Sequence, residues 1–184
     1  MQCEHCDERA TIHITIMKEG NFDEQHLCDK CANQFLQNSP RPARVFGRTE
    51  LNAKREVPVE VDKVIISEIH DQQVVMFREV QGSRCLPLVC GIFEVTTVDR
   101  TLRAIPSPRP LTHDAWLLSL AALGATVEEV CIHELDGHTY FAEIRLLQEA
   151  KKIKVDARPS DALIIALKVG APILVAERLL SYPG

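Results

Sequence analysis

Two groups of residues in this chain have the types and spacing to do chemistry. The first is Cys3-x2-Cys6 with Cys28-x2-Cys31. Each CxxC makes a tight knuckle that places two thiolates on one side of a turn. Four thiolates brought together suit tetrahedral Zn²⁺ and leave no open coordination position, so such a site is structural rather than catalytic. A redox dithiol pair or an iron site can use the same spacing. His5, His13 and His26 lie close in sequence and any could replace a cysteine. Since four cysteines already suffice, each is read as a surface histidine.

The second group is a near-repeat. Arg109-Pro110-Leu111-Thr112-His113-Asp114-Ala115 and Arg158-Pro159-Ser160-Asp161-Ala162 each run Arg-Pro, hydroxyl, Asp-Ala into an apolar segment. Proline pre-sets a helix entry, a hydroxyl caps free N–H groups, and an aspartate sits at the positive end of the helix dipole. That is ordinary capping, worth about 1 kcal/mol per cap. Capping does not require the arginines, His113, or Asp156 just upstream. A helix N-terminus beside an arginine makes a phosphate site, here Arg109 with Thr112 and Arg158 with Ser160. Asp114, Asp156 and Asp161 could together hold Mg²⁺ or Mn²⁺. His113 could ligate or move a proton. Metal, arginine and carboxylates together fit phosphodiester hydrolysis. Whether the two helix starts meet cannot be read from sequence.

The elements that would position these groups follow from periodicity. Thr11 to Met17 alternates, with Ile12, Ile14 and Ile16 on one face of a strand. Lys18-Glu19-Gly20-Asn21 is a turn signal, Phe22 to Leu27 the return strand, and Ala32 to Leu36 a short helix. This hairpin brings the second cysteine knuckle onto the first. Further strands are expected over Val59 to Ile69, Gln73 to Val80, Arg84 to Val89, Val127 to Leu135, Thr139 to Leu147 and Lys152 to Val155. Gly82 and Gly137 mark turns. Helices are expected over Thr112 to Leu123, ending at Gly124, over Ser160 to Val169, ending at Gly170, and over Glu94 to Leu102. The first two are apolar almost all round and so are expected to be buried, with Trp116 in the core. The expected class is α+β, with mixed or antiparallel sheets and two buried helices, preceded by a small zinc-ribbon-like hairpin.

Composition sets the frame. Of 184 residues, 46% are hydrophobic and 26% charged, which excludes disordered and collagen-like classes. No apolar run reaches the ~20 residues a membrane helix needs. The start, Met1-Gln2-Cys3-Glu4, shows neither a basic n-region nor an apolar h-region, so a cytoplasmic protein with no membrane association is expected. The net charge of −5 excludes a strongly basic nucleic-acid binder but not a local basic site. That charge is unevenly spread: residues 1–36 carry −4, residues 37–57 carry +3, and residues 58–184 carry −4. Pro40, Pro42 and Gly47 break the middle stretch, which reads as a basic linker between a zinc module (1–36) and an α+β domain (58–184). A unit of ~36 residues is too small for an apolar core alone, and a metal would complete it. Seven cysteines, an odd number, argue against a disulfide framework; Cys85, Cys90 and Cys131 read as buried apolar residues. Lys151, Lys152 and Lys154 read as a solvated edge strand before a phosphate-steering surface, and His133 and His138 as exposed.

The segment CEHCDERATIHITI…HLCDKCA resembles the N-terminal zinc-binding part of the protein-arginine kinase activators, over about residues 3–33. What the resemblance implies is a zinc-stabilised module for a protein partner. RPLTHDAWLLSLAALGATVEEV and VDARPSDALIIALKVGAPILVAE resemble the bifunctional nuclease (BFN) domain family, over about residues 58–180. The upstream CLPLVCGIFEV aligns Pro87, Gly91 and Glu94 with that family, which brings Glu94 into the candidate set. The family's name implies cleavage of DNA and RNA. The leading expectation is therefore a metal-assisted nuclease acting through His113, Asp114, Asp156, Asp161 and Glu94, with Arg109, Arg158, Thr112 and Ser160 on phosphate. The rival is a non-catalytic regulatory or adaptor protein, which the acidic charge outside the linker favours. A homo-oligomer is compatible with either.

Overall fold

The computed structural model describes residues 1–18, 21–37 and 55–182. The chain divides into two compact units. One gathers the described residues up to 37 together with 60–99 and 180–182; the other gathers 55–59 and 100–179. Most of the expected linker, and Glu19 and Gly20 of the expected turn, lie outside the described residues. Gln37 closes a helix and Glu56 and Val57 open a strand. The cysteine hairpin pairs with a strand that lies beyond the expected linker.

In the first unit, β1 (Ile12–Lys18) and β2 (Asn21–Leu27) form the antiparallel hairpin, with Ile12 opposite Leu27 and Lys18 opposite Asn21. The other edge of β1 pairs with the end of β3 (Glu56–Ser67), which pairs with β4 (Gln73–Glu79), and β4 with β5 (Cys85–Cys90). Alternation in β1 sends Ile12 and Ile14 inward, where they pack with Leu27 and with Ala32 and Phe35 of α1 (Asp29–Gln37). Cys3 and Cys28 belong to this same small core. Helix α2 (Ile92–Leu102) buries Val95, Val98 and Asp99, and the Thr15 hydroxyl donates to the Asp99 carboxylate at 2.8 Å. Burial pushes the Asp99 carboxyl up, and the threonine opposes this.

In the second unit the strand order is β3 (its first residues), β9 (Ile173–Ala176), β6 (Ala125–Asp136), β7 (Thr139–Gln148), β8 (Lys151–Ala157). β6 and β9 run parallel and the other pairs are antiparallel, so the sheet is mixed. β9 is a four-residue strand that the periodicity reading passed over. Gly137 at φ +59° makes the β6–β7 turn. Arg145 of β7 binds Glu56 of β3, Glu129 of β6 and its own neighbour Glu143, each contact within 2.5–2.7 Å, and so ties three strands together. β8 is the edge strand, with Lys151, Lys152 and Lys154 exposed.

Two helices complete this unit, α3 (Thr112–Ala122) and α4 (Pro159–Val169). α4 is buried over Ala162, Leu163, Ile164, Ile165 and Ala166, and ends at Gly170 in the left-handed region (φ +68°). Burial of α3 is not observed: it has no fully buried residue, and Leu118 is 60% exposed. His113, Trp116, Leu117 and Leu120, at i, i+3, i+4 and i+7, are its half-buried stripe. An all-apolar helix carries no polar face to say which side meets the sheet. The hydroxyl caps are also corrected. The N-caps are Leu111 and Arg158, neither with a side-chain cap bond, and Thr112 and Ser160 lie inside their helices. Proline at N1 places the cap of α4 at Arg158, two residues upstream of Ser160.

Candidate active site and metal centre

Cys3, Cys6, Cys28 and Cys31 converge. Their sulfurs all lie within 4.8 Å of one another, with Cys6 at 3.6 Å from Cys28 and 3.7 Å from Cys31. A tetrahedral ion with 2.3 Å metal–sulfur bonds sets its sulfurs about 3.8 Å apart, so the cluster has the size for one. Among the described residues, this is the group of three or more Cys, His, Asp or Glu side chains close enough to share a metal ion. The thiols resist joint ionisation. Burial raises Cys3, but backbone N–H groups of Cys28 and His5 outweigh it and bring it down to about 6. Cys31 is pushed up to about 12, first by its hydrogen bond with Cys28. A bound cation is what would let all four carry charge.

The two Arg-Pro helix starts meet. His113 at the start of α3 lies with Nε2 at 3.0 Å from Oδ1 of Asp161 at the start of α4. Arg158 holds the same carboxylate from the other side, its Nε donating to Oδ2 at 2.7 Å and Nη2 to Oδ1 at 3.3 Å. Burial pushes Asp161 up, but Arg158 and His113 outweigh it and hold the carboxyl below its usual range. These three side chains, with Thr112, Trp116 and Asp156, line a cavity of about 610 Å³. Ile144 of β7 and Ile165 of α4 supply part of its apolar wall. Asp156 reaches it from β8, opposite Glu143 on β7.

Other candidates stand elsewhere. Asp114 does not line the cavity: Oδ2 accepts from the Leu111 N–H at 2.9 Å, and Oδ1 accepts from Lys168 Nζ at 2.6 Å. Arg109 is exposed and Ser160 is buried in the first turn of α4; neither lines the cavity. Glu94 belongs to the first unit, where its carboxylate lies over Gly91 at the start of α2. Trp116, expected in the core, is half-buried and forms cavity wall. Its position three residues after His113, on the same helical face, was the available signal. The three-aspartate cation set is not gathered. Asp114 spends both oxygens on Lys168 and a backbone N–H, and Asp161 spends both on Arg158 and His113. These donors do not fit a common Mg²⁺ or Mn²⁺.

The Lys168–Asp114 pair links the start of α3 to the end of α4, and the Lys168 ammonium holds the Asp114 carboxyl below its ordinary value. A carboxyl depressed by folding stabilises the fold above its unfolded value, and that contribution is lost as pH falls through the folded value. Asp114→Asn is therefore expected to cost about 1 kcal/mol at neutral pH. The deficit closes once acid protonates the wild-type carboxyl. Urea midpoints of both proteins at neutral and acid pH check this; a deficit unchanged in acid contradicts it.

Among the described residues no helix is long and apolar enough to cross a membrane. The bifunctional nuclease domain profile matches residues 75–184, a span that holds the cavity and both helix starts. In Mycobacterium tuberculosis, an uncharacterized protein from each of two strains is 38% identical over 126 residues. The match covers 68% of this chain and 75% of each of those proteins. The profile match and the M. tuberculosis relatives together establish that this chain belongs to the bifunctional nuclease domain family.

Proposed function

We propose that this chain is a nuclease whose second unit cleaves nucleic-acid phosphodiester bonds in the α3–α4 cavity. The observation that carries the reading is the His113–Asp161–Arg158 constellation on the cavity wall. With Nε2–H donated to Asp161, the His113 Nδ1 keeps a lone pair and can take the proton of an attacking hydroxyl or water. The new P–O bond forms as the bond to the leaving oxygen breaks, and that oxygen is then protonated from His113 or solvent. Asp161 steadies the imidazolium. The exposed Arg158 guanidinium, which has five N–H donors, faces the phosphate. Trp116 offers a ring face on which a base could stack.

The four cysteines are assigned to structural Zn²⁺, supported by their sulfur spacing, with the hairpin as a surface for a protein partner. The second reading, a non-catalytic adaptor, is favoured by the net charge of −4 on residues 58–184, which does not attract a polyanion. End-labelled single-stranded DNA and RNA, incubated with purified wild type and Asp161→Ala, with chelator and with added Mg²⁺ or Mn²⁺, separate the two. Cleavage by wild type alone supports the nuclease. No cleavage under any condition supports the adaptor.

A further inference from the structure

The cysteine hairpin carries a second constellation on its other face. His13 of β1 and His26 of β2 are direct cross-strand partners. Their Nδ1 atoms face each other at 2.8 Å, and the rings meet edge to face with centroids 5.0 Å apart. Each outer nitrogen is backed by a carboxylate. Glu68, just past β3, lies with Oε1 at 3.1 Å from His13 Nε2, and Glu24 lies with Oε2 at 3.6 Å from His26 Nε2. The second oxygen of Glu68 binds Arg9 at 3.1 Å, which fixes that carboxylate's orientation. Both histidines are partly open to solvent, at 27% and 22% of the side chain.

We propose that His13 and His26 form a second metal site, which takes an imidazole-seeking divalent ion of the Zn²⁺ class through its two Nδ1 atoms. A histidine ligand needs one nitrogen free of its proton and the other nitrogen donating to an oriented acceptor; here carboxylates stand behind both rings. Two nitrogens bound at about 2.0–2.1 Å on a tetrahedral ion lie about 3.4 Å apart, so the rings need part by only about half an ångström. Imidazole donors select Zn²⁺, Ni²⁺ or Cu²⁺ over Mg²⁺ or Ca²⁺, which prefer an all-oxygen shell. Two protein ligands leave two positions for water or an outside ligand, in contrast to the closed four-cysteine cluster. The site is thus built for exchangeable metal rather than for folding, and it is independent of the nuclease reading.

The test is zinc per chain after equilibrium dialysis against buffered free Zn²⁺, carried out on the full chain. Wild type is expected to hold one zinc at low free Zn²⁺ and a second in the micromolar range. His13→Gln is expected to keep the first and lose the second. Protection of the four cysteines from a thiol reagent shows that their own zinc is in place. Glu68→Gln is expected to bind the second zinc about tenfold or more weakly, since it removes the carboxylate behind His13. A wild type that stops at one zinc overturns the proposal, as does a His13→Gln chain that still takes two. Unchanged second-site affinity in Glu68→Gln removes His13 as an oriented ligand.

Discussion

Withdrawing the zinc proposed for Cys3, Cys6, Cys28 and Cys31, by a strong chelator or by Cys6→Ser, is expected to unfold the β1–β2 hairpin and α1. The small core beneath them holds Ile12, Ile14, Leu27 and Ala32, and two of its buried members, Cys3 and Cys28, belong to the four-cysteine cluster itself. With a cation the four sulfurs carry negative charge at contact distance. Without one they do not all ionise, as the raised Cys31 thiol shows. Structural zinc contributes on the order of 10 kcal/mol to folding, which matches the whole stability of a typical domain, about 5–15 kcal/mol. The hairpin's other support includes the pairing of Ile12 to Ile16 with the end of β3 and the Thr15–Asp99 hydrogen bond, each net hydrogen bond contributing only about 1 kcal/mol, so they do not replace a sum of that size. Amide hydrogen exchange reads the result. Protection is expected to vanish in Ile12–Leu27 and to persist in β6 and β7, whose neighbours include the buried α4. Acid acts in the same direction, because each thiolate must be protonated to release the metal. Hairpin amides that stay protected without metal would show that the cysteines are not its structural centre.

How far the sequence revealed this architecture depends on which interaction set each element. The hairpin was legible because alternation in Ile12, Ile14 and Ile16 and the two CxxC knuckles demand the same turn. α4 was legible because Pro159 and Gly170 mark both ends. α3 was legible as a helix but not in its burial. Its apolar residues run all round, and the residues that meet the rest of its unit emerge only from the fold. β9, the run Ile173 to Ala176 after Pro172, is short and lacks alternation, so periodicity could not separate it from a loop or the end of a helix. In the site, the repeat of Arg-Pro, hydroxyl and Asp-Ala picked out both helix starts, and that they meet emerges only from the fold. It could not show that the contact joins the histidine of one to the aspartate of the other, 48 residues away. Nor could it show that Asp114, chemically equivalent to Asp161 in the repeat, is turned to Lys168 instead. Equivalent local sequences share a backbone geometry; the partner each carboxylate finds is tertiary.

The sharpest consequence of the proposed nuclease mechanism is that His113→Ala and Asp161→Ala should each lower kcat for nucleic-acid cleavage by about 10²–10⁴-fold, and the double variant by little more than the worse single one. The reason is the 3.0 Å contact between them: in the proposed mechanism Asp161 acts only by orienting His113 and stabilising its charged form, so once His113 is gone Asp161 has no transition-state role left. A purely structural Asp161 behaves differently. As a first-turn carboxylate of α4, held by Arg158, its loss costs about 1 kcal/mol of stability and leaves the rate of the folded fraction unchanged. Thermal midpoints measured beside kcat therefore separate the two roles. Arg158→Met discriminates further, because it loses the contact to phosphate and raises KM, whereas His113→Ala acts mainly on kcat. Asp114→Asn serves as the control within the repeat: its carboxylate faces Lys168 rather than the cavity, so it should shift stability and spare the rate. Equal cleavage by wild type and Asp161→Ala, after contaminating nuclease is excluded, would place the chemistry outside this cavity. If His113→Ala and Asp161→Ala impair cleavage additively instead, the two residues work apart and the dyad is not the catalytic unit.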